Sequence, residues 1–105
     1  MDEITTTIKR QWLREIAAGR KHVEFREIKP YWIRRFSGLG TPFLLRLING
    51  MQPRAPELTV TVRRIRKNLR SRRFELVLGK IVAIKHWSRT LEQPTAKRKI
   101  RYSKR

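Results

Sequence analysis

The chain has no cysteine, only two histidines and only eight acidic residues among 105. Each shortage closes a class of chemistry. Without thiols there can be no disulfide framework, no Cys-ligated zinc or iron–sulfur cluster and no thiol nucleophile. His22 and His86 are far apart and the acids are scattered, so no ligand-spaced cluster forms and neither a metal nor another cofactor is expected. Gly38-Leu39-Gly40 is too short for a dinucleotide or P-loop fingerprint, and no serine–histidine–acid order stands out. No apolar run approaches the ~18–20 residues of a membrane span. The start, Met1-Asp2-Glu3-Ile4, lacks the apolar core of a secretion signal, so a soluble cytoplasmic protein is expected.

What the chain has in excess is positive charge: 27 Lys and Arg residues, for a net charge of +19. With 39% hydrophobic residues it can still bury one core, though not two. Such a surface repels its own copies and attracts polyanions, with nucleic acid ahead of anionic membrane. Charge alone says nothing about fold.

The pattern of residues does. Ile4 to Lys9 is β-branched up to its last residue and predicts a strand. Trp12, Leu13, Ile16 and Ala17 make an apolar stripe on a short helix ending at Gly19, with Trp12 assigned to the interface between helix and sheet. Arg20 to Arg26 alternates: Val23 and Phe25 share one face, and His22, Glu24 and Arg26 share the other, as in a half-buried strand. Pro30 opens a one- or two-turn helical connector. Phe43–Ile48 and Leu58–Ile65 are further strands, and Phe74–Trp87 is a long strand kinked at Gly79-Lys80 or two short ones. The expected fold is α+β and mainly β: a small barrel of five or six strands with one or two peripheral helices over residues 1–87. Residues 88–105 are expected to be a flexible basic tail.

Thr7-Ile8-Lys9, the helix after it, and the run Gly19-Arg20-Lys21-His22-Val23-Glu24-Phe25-Arg26 resemble the ASCH domain family, which shares an Ile-Lys strand end and a Gly-x-Lys-x-x-Glu-x-Arg signature. Pro30-Tyr31-Trp32 and Leu78-Gly79-Lys80-Ile81 are similar to other recurring family elements. The resemblance spans residues 4–87. It implies a PUA-like β-barrel whose cleft, lined by the signature residues, binds RNA or a nucleotide. It also implies a possible hydrolase, because some members cleave RNA or remove acyl groups from cytidine-type nucleosides. In the latter branch the signature lysine, Lys21 here, and a threonine three residues on are catalytic. The threonine position is Glu24 in this chain.

The candidate site residues follow from these two sources. Lys21 and Glu24 are the catalytic pair if the chain is an enzyme. As a base or nucleophile Lys21 would need its ammonium form disfavoured by burial or neighbouring cations, whereas Glu24 favours that form. Lys9, Lys21, Glu24 and Arg26 are the expected nucleotide-binding cluster, although Glu24 and Arg26 could equally form a plain ion pair. Tyr31 and Trp32 could stack on a base or simply pack, with Arg34 and Arg35 beside them. Arg63, Arg64, Arg66, Lys67, Arg70, Arg72 and Arg73 form an acid-free run suited to tracking phosphates. RNA is the expected partner, ahead of DNA.

Overall fold

A computed structural model describes residues 1–95 of the chain. It contains β1 (Glu3–Thr7), α1 (Arg10–Ala17), β2 (Val23–Glu27), α2 (Pro30–Phe36), β3 (Phe43–Ile48), β4 (Glu57–Asn68), β5 (Arg73–Lys85), β6 (Trp87–Ser88) and β7 (Gln93–Pro94). The first five strands form one curled, half-barrel sheet in the order β1-β3-β4-β5-β2. β1 runs parallel to β3, and every other pairing is antiparallel. This is the small, mainly β, barrel-like α+β fold expected from the strand pattern.

The concave face holds the core. Alternate residues of β3 (Phe43, Leu45, Leu47) and β4 (Leu58, Val60, Val62) are buried on it, together with Phe74, Leu76 and Leu78 of β5. Helix α1 closes one side by burying Leu13, Ile16 and Ala17, spaced i, i+3 and i+4. Each of the Leu, Ile, Val and Phe side chains removed from water contributes about 1.5–3 kcal/mol, and Ala17 less. The helix ends because Gly19, at φ +80°, turns the chain left-handed while its N–H donates to the Ile16 carbonyl. Pro30 begins α2, where its missing N–H has no helical partner to lose.

The long β4–β5 hairpin keeps its pairing through three register shifts. One falls at Gly79-Lys80, the expected kink, where β5 carries an extra residue between Leu78 and Ile81. A Cβ on Gly79 would lie 2.9 Å from Cγ of Arg63, so glycine leaves room there for the arginine stem. β4 continues to Asn68, well past the last residue paired with β3, and turns through Leu69–Arg72 at its tip.

The expected alternation in β2 is present, and the polar face is the inward one: Glu24 pairs with Leu76 and Arg26 with Phe74, and Glu24 is only 5% exposed. β2 is an edge strand whose inner face meets the opposite edge of the sheet rather than the apolar centre, and polar side chains serve that seam. The outward Phe25 is covered by cations, with the Arg73 guanidinium 4.1 Å and the Lys21 ammonium 4.9 Å from its ring centre.

One expectation is corrected, that of a flexible tail beginning at residue 88. Residues 88–95 are tied to the body, since β6 and β7 pair and Trp87 is buried. Arg89 donates twice to the Ala17 carbonyl, at 3.0 and 3.2 Å, while Arg20 bridges Glu15 and Glu92. These contacts anchor the C-terminal end of α1, whose last carbonyls have no helical partner. The cations from Lys97 to Arg105 lie outside the described residues.

Candidate functional site

The curled sheet brings its two edges, β1 and β2, near each other without backbone pairing. Arg26 spans the seam: its Nη2 donates to the Thr7 carbonyl at 3.0 Å and to Oε2 of Glu24 at 2.6 Å. Behind it the Trp32 ring lies 5.2 Å from the guanidinium carbon, and Trp32 is stacked in turn on Phe36. In front opens a cleft of about 480 Å³, bounded by Thr7, Ile8 and Lys9 on one side and by Glu24, Phe25 and Arg26 on the other. Trp12 and Asn49 complete its walls.

Glu24 is the chemical centre of this cleft. Its carboxylate, 7% exposed, lies between two cations, with Lys21 Nζ 3.6 Å from Oε1 on the side away from Arg26. A carboxylate so buried is tolerable only because both charges compensate it. Nε of Arg26 is buried and has no partner among the described residues.

Lys21 has a different surrounding from the one a nucleophile needs. Its ammonium sits 5.1 Å from the Trp12 ring centre and 4.9 Å from that of Phe25, with the Glu24 carboxylate beside it. Two π faces and an anion make a cage for a cation. Lys21 thus touches three wall residues of the cleft, Trp12, Glu24 and Phe25, and meets the Glu24 carboxylate from the side away from Arg26.

The four residues expected to cluster, Lys9, Lys21, Glu24 and Arg26, do come together at one seam. Two further residues wall the cleft that the sequence did not assign to it. Trp12 is 44% exposed and faces the cleft instead of being sealed between helix and sheet. On the helix it stands about 100° from Leu13, at the flank of the buried Leu13, Ile16, Ala17 stripe rather than within it. Asn49 arrives from the end of β3: its Nδ2 donates to the Ile8 carbonyl at 2.9 Å and its Oδ1 accepts from Arg10 Nε at 2.9 Å. The only sequence signal for it was its place beside Gly50 in a turn.

The aromatic pair does not form an open stacking platform. Trp32 is stacked on Phe36 and has the Arg26 and Arg35 guanidiniums over its ring, so it packs. Tyr31 is half exposed, meets Trp32 edge-on at 4.9 Å between centroids, and its hydroxyl accepts from Arg35. Arg35 also lies over both rings, whereas Arg34 is exposed on α2.

The basic run occupies the free half of β4, the turn and the first residue of β5. Arg66 pairs with Glu75 at 3.3 Å, and Arg73 covers Phe25. Arg63, Arg64, Lys67, Arg70 and Arg72 have no carboxylate partner among the described residues. The tip of this arm is tied to β2 and the segment after it: Arg73 and Lys21 share the Phe25 ring, and the Ile28 N–H donates to the Arg72 carbonyl at 3.1 Å.

Among the described residues, no group of three or more His, Asp or Glu side chains could hold a metal ion. No helix among them is long and apolar enough to cross a membrane. Comparison with protein-family models, with curated proteins and with solved structures finds no match for this chain.

Proposed function

We propose that the chain is an ASCH-type module that binds RNA or a nucleotide, with the cleft at the β1–β2 seam taking one nucleotide and the arm at 63–73 attracting the adjoining phosphates. The observation that carries this reading is Glu24. A buried carboxylate, fixed by Arg26 and Lys21 and facing a cleft of about 480 Å³, is an acceptor held ready for the amino edge of a base. Trp12 offers a half-exposed ring beside it for stacking, and Lys9 stands at the mouth where a phosphate would pass. The unpaired cations of the arm supply long-range attraction without choosing a base.

Binding of a labelled single-stranded RNA, followed by fluorescence anisotropy at several salt concentrations, tests it. If six to ten phosphates are met, affinity falls by about 10³–10⁵ between 50 and 200 mM salt. A flat salt response contradicts the proposal.

A second reading is favoured by the 3.6 Å approach of Lys21 to Glu24, which sets the signature lysine beside a carboxylate where the family's hydrolases carry a threonine. Here Glu24 would act as general base toward water attacking an acyl amide or a phosphodiester. Incubation with N4-acetylcytidine and with single-stranded RNA, followed by chromatography, separates the two readings. Turnover that disappears in Lys21→Ala supports the enzyme, and binding without turnover of either substrate supports the module.

A further inference from the structure

We infer that the outer half of β4 is a docking edge for an extended, acidic segment of a partner protein, which adds to the sheet as a strand beside residues 63–68. Three features point there, none of which depends on the cleft, although the third, charge, belongs to the same arm that is proposed to attract phosphates. The first is an open backbone edge. β3 pairs with β4 only from Glu57 to Val62, and beyond Val62 the sheet has no strand on that side. Alternate N–H and C=O groups between Arg63 and Asn68 therefore face outward, and among the described residues no backbone group pairs with them. Such a row is a template for another strand.

The second feature is an apolar groove of about 470 Å³ running along that edge. Its floor is Phe36, Ile65 and Phe74, and its far rim is Leu39 and Ile33, the latter 44% exposed. The third is charge. Arg64 and Lys67 border the groove, and neither has a carboxylate partner among the described residues.

These features share a period. Ile65 pairs with Leu76 and Lys67 with Phe74, so those positions face the groove, whereas Arg64 and Arg66 face the opposite side of the sheet. A strand laid beside them meets Ile65 and the apolar floor on its groove side, with Lys67 at the outer end, and Arg64 and Arg66 on its other side. A segment alternating large apolar side chains with Asp or Glu satisfies both faces while its backbone completes the ladder. A polynucleotide has no peptide ladder to offer this edge. A second copy of the chain would set one charge of +19 against another.

The test uses the full chain, labelled with ¹⁵N, and a pool of synthetic eight-residue peptides with Asp or Glu at alternate positions and Val, Ile, Leu or Phe between them. The expected result is protection from solvent exchange at amides within 63–68, at least tenfold weaker binding by Arg64→Glu, and loss of protection when the peptides are N-methylated at alternate residues. A thermal unfolding midpoint for Arg64→Glu equal to that of the parent shows that the variant is folded. The inference is overturned if no amide in 63–68 is protected. It is equally overturned if N-methylated peptides, or peptides of the same composition with all acids in one block, bind as well as the alternating pool. It also falls if single-stranded RNA protects these amides and the peptides do not, since the edge would then serve nucleic acid.

Discussion

The cleft and the arm are built from the same kind of residue and use it in opposite ways. In the cleft, Lys21 and Arg26 are 15% and 17% exposed and both are committed to one buried carboxylate. In the arm, Arg64, Lys67, Arg70 and Arg72 are exposed and have no acidic partner among the described residues. Desolvated, paired charge holds a geometry, and breaking it is expensive. Solvated, unpaired charge raises the local concentration of a polyanion, and removing it leaves the fold intact. Stability should therefore depend on the cleft and salt sensitivity on the arm.

The largest effect is expected from Glu24→Gln, which leaves two confined cations around a neutral group. The loss should be on the order of 3 kcal/mol, lowering the unfolding midpoint by about 12–24 °C in a domain of this size. Replacing the pair together, as Glu24→Leu with Arg26→Met, should recover most of that stability and none of the ligand binding. Thermal unfolding of the three proteins checks both statements, and equal midpoints would erase the distinction between the regions.

Next is Trp12→Ala. The ring is 44% exposed, so the fold should tolerate its loss. If it stacks on a base, RNA affinity should fall by about 1–3 kcal/mol, roughly 5- to 150-fold. Fluorescence anisotropy measures that fall, and an unchanged affinity removes Trp12 from the site.

A smaller effect on binding, with none on folding, is expected from Arg64→Ser, Arg70→Ser and Arg72→Ser combined. Removing three phosphate contacts should reduce the slope of log affinity against log salt by about 2 for single-stranded RNA. The unfolding midpoint should stay within a few degrees of the parent.

The smallest effect is at Glu57, an ion pair on the outer face of the sheet, away from both regions. Arg46 donates to both of its carboxylate oxygens at 2.9 Å and thereby holds the Glu57 carboxyl below its ordinary 4.5. Because the folded value is the lower one, the pair stabilises the fold fully above pH 4.5, and this contribution fades as pH falls through the folded value. Denaturant unfolding between pH 3 and 7 should show the decline in the parent and a flatter one in Arg46→Met.

Much of the fold could be read from residue order. Phe43, Leu45 and Leu47 alternate cleanly, and β3 occupies the expected residues because that face alone is apolar. Gly19 closes α1 because only glycine enters a left-handed turn easily. β2 shows the limit of the same rule, since alternation says which residues share a face but not which face is inside. Its apolar side is outward because Arg73 and Lys21 cover Phe25, a contact made by residues far along the chain and by the strand's own edge. The β6–β7 hairpin was invisible for another reason. Its two-residue strands carry no period, and it is held by Arg89, Arg14 and Arg20 reaching α1 and Glu92.

The site was legible only where its residues are close in sequence. Lys21, Glu24 and Arg26 stand on one strand and its approach, so the motif named them together. Asn49 reaches the cleft because β3 lies parallel to β1, which brings the Ile8 N–H to the Ile48 carbonyl at 3.0 Å. That proximity exists only once the sheet has formed.

The division of labour between the cleft and the arm is tested most directly by measuring the affinities of the parent, Trp12→Ala and the triple arm variant for four homopolymeric RNA oligonucleotides at 50 and 200 mM salt. A selective cleft and an attractive arm require that the triple variant lose salt slope while keeping the ratios among the four RNAs, and that Trp12→Ala lose those ratios while keeping the slope. If the triple variant changes the ratios, or Trp12→Ala leaves them as they were, selection does not reside in the cleft.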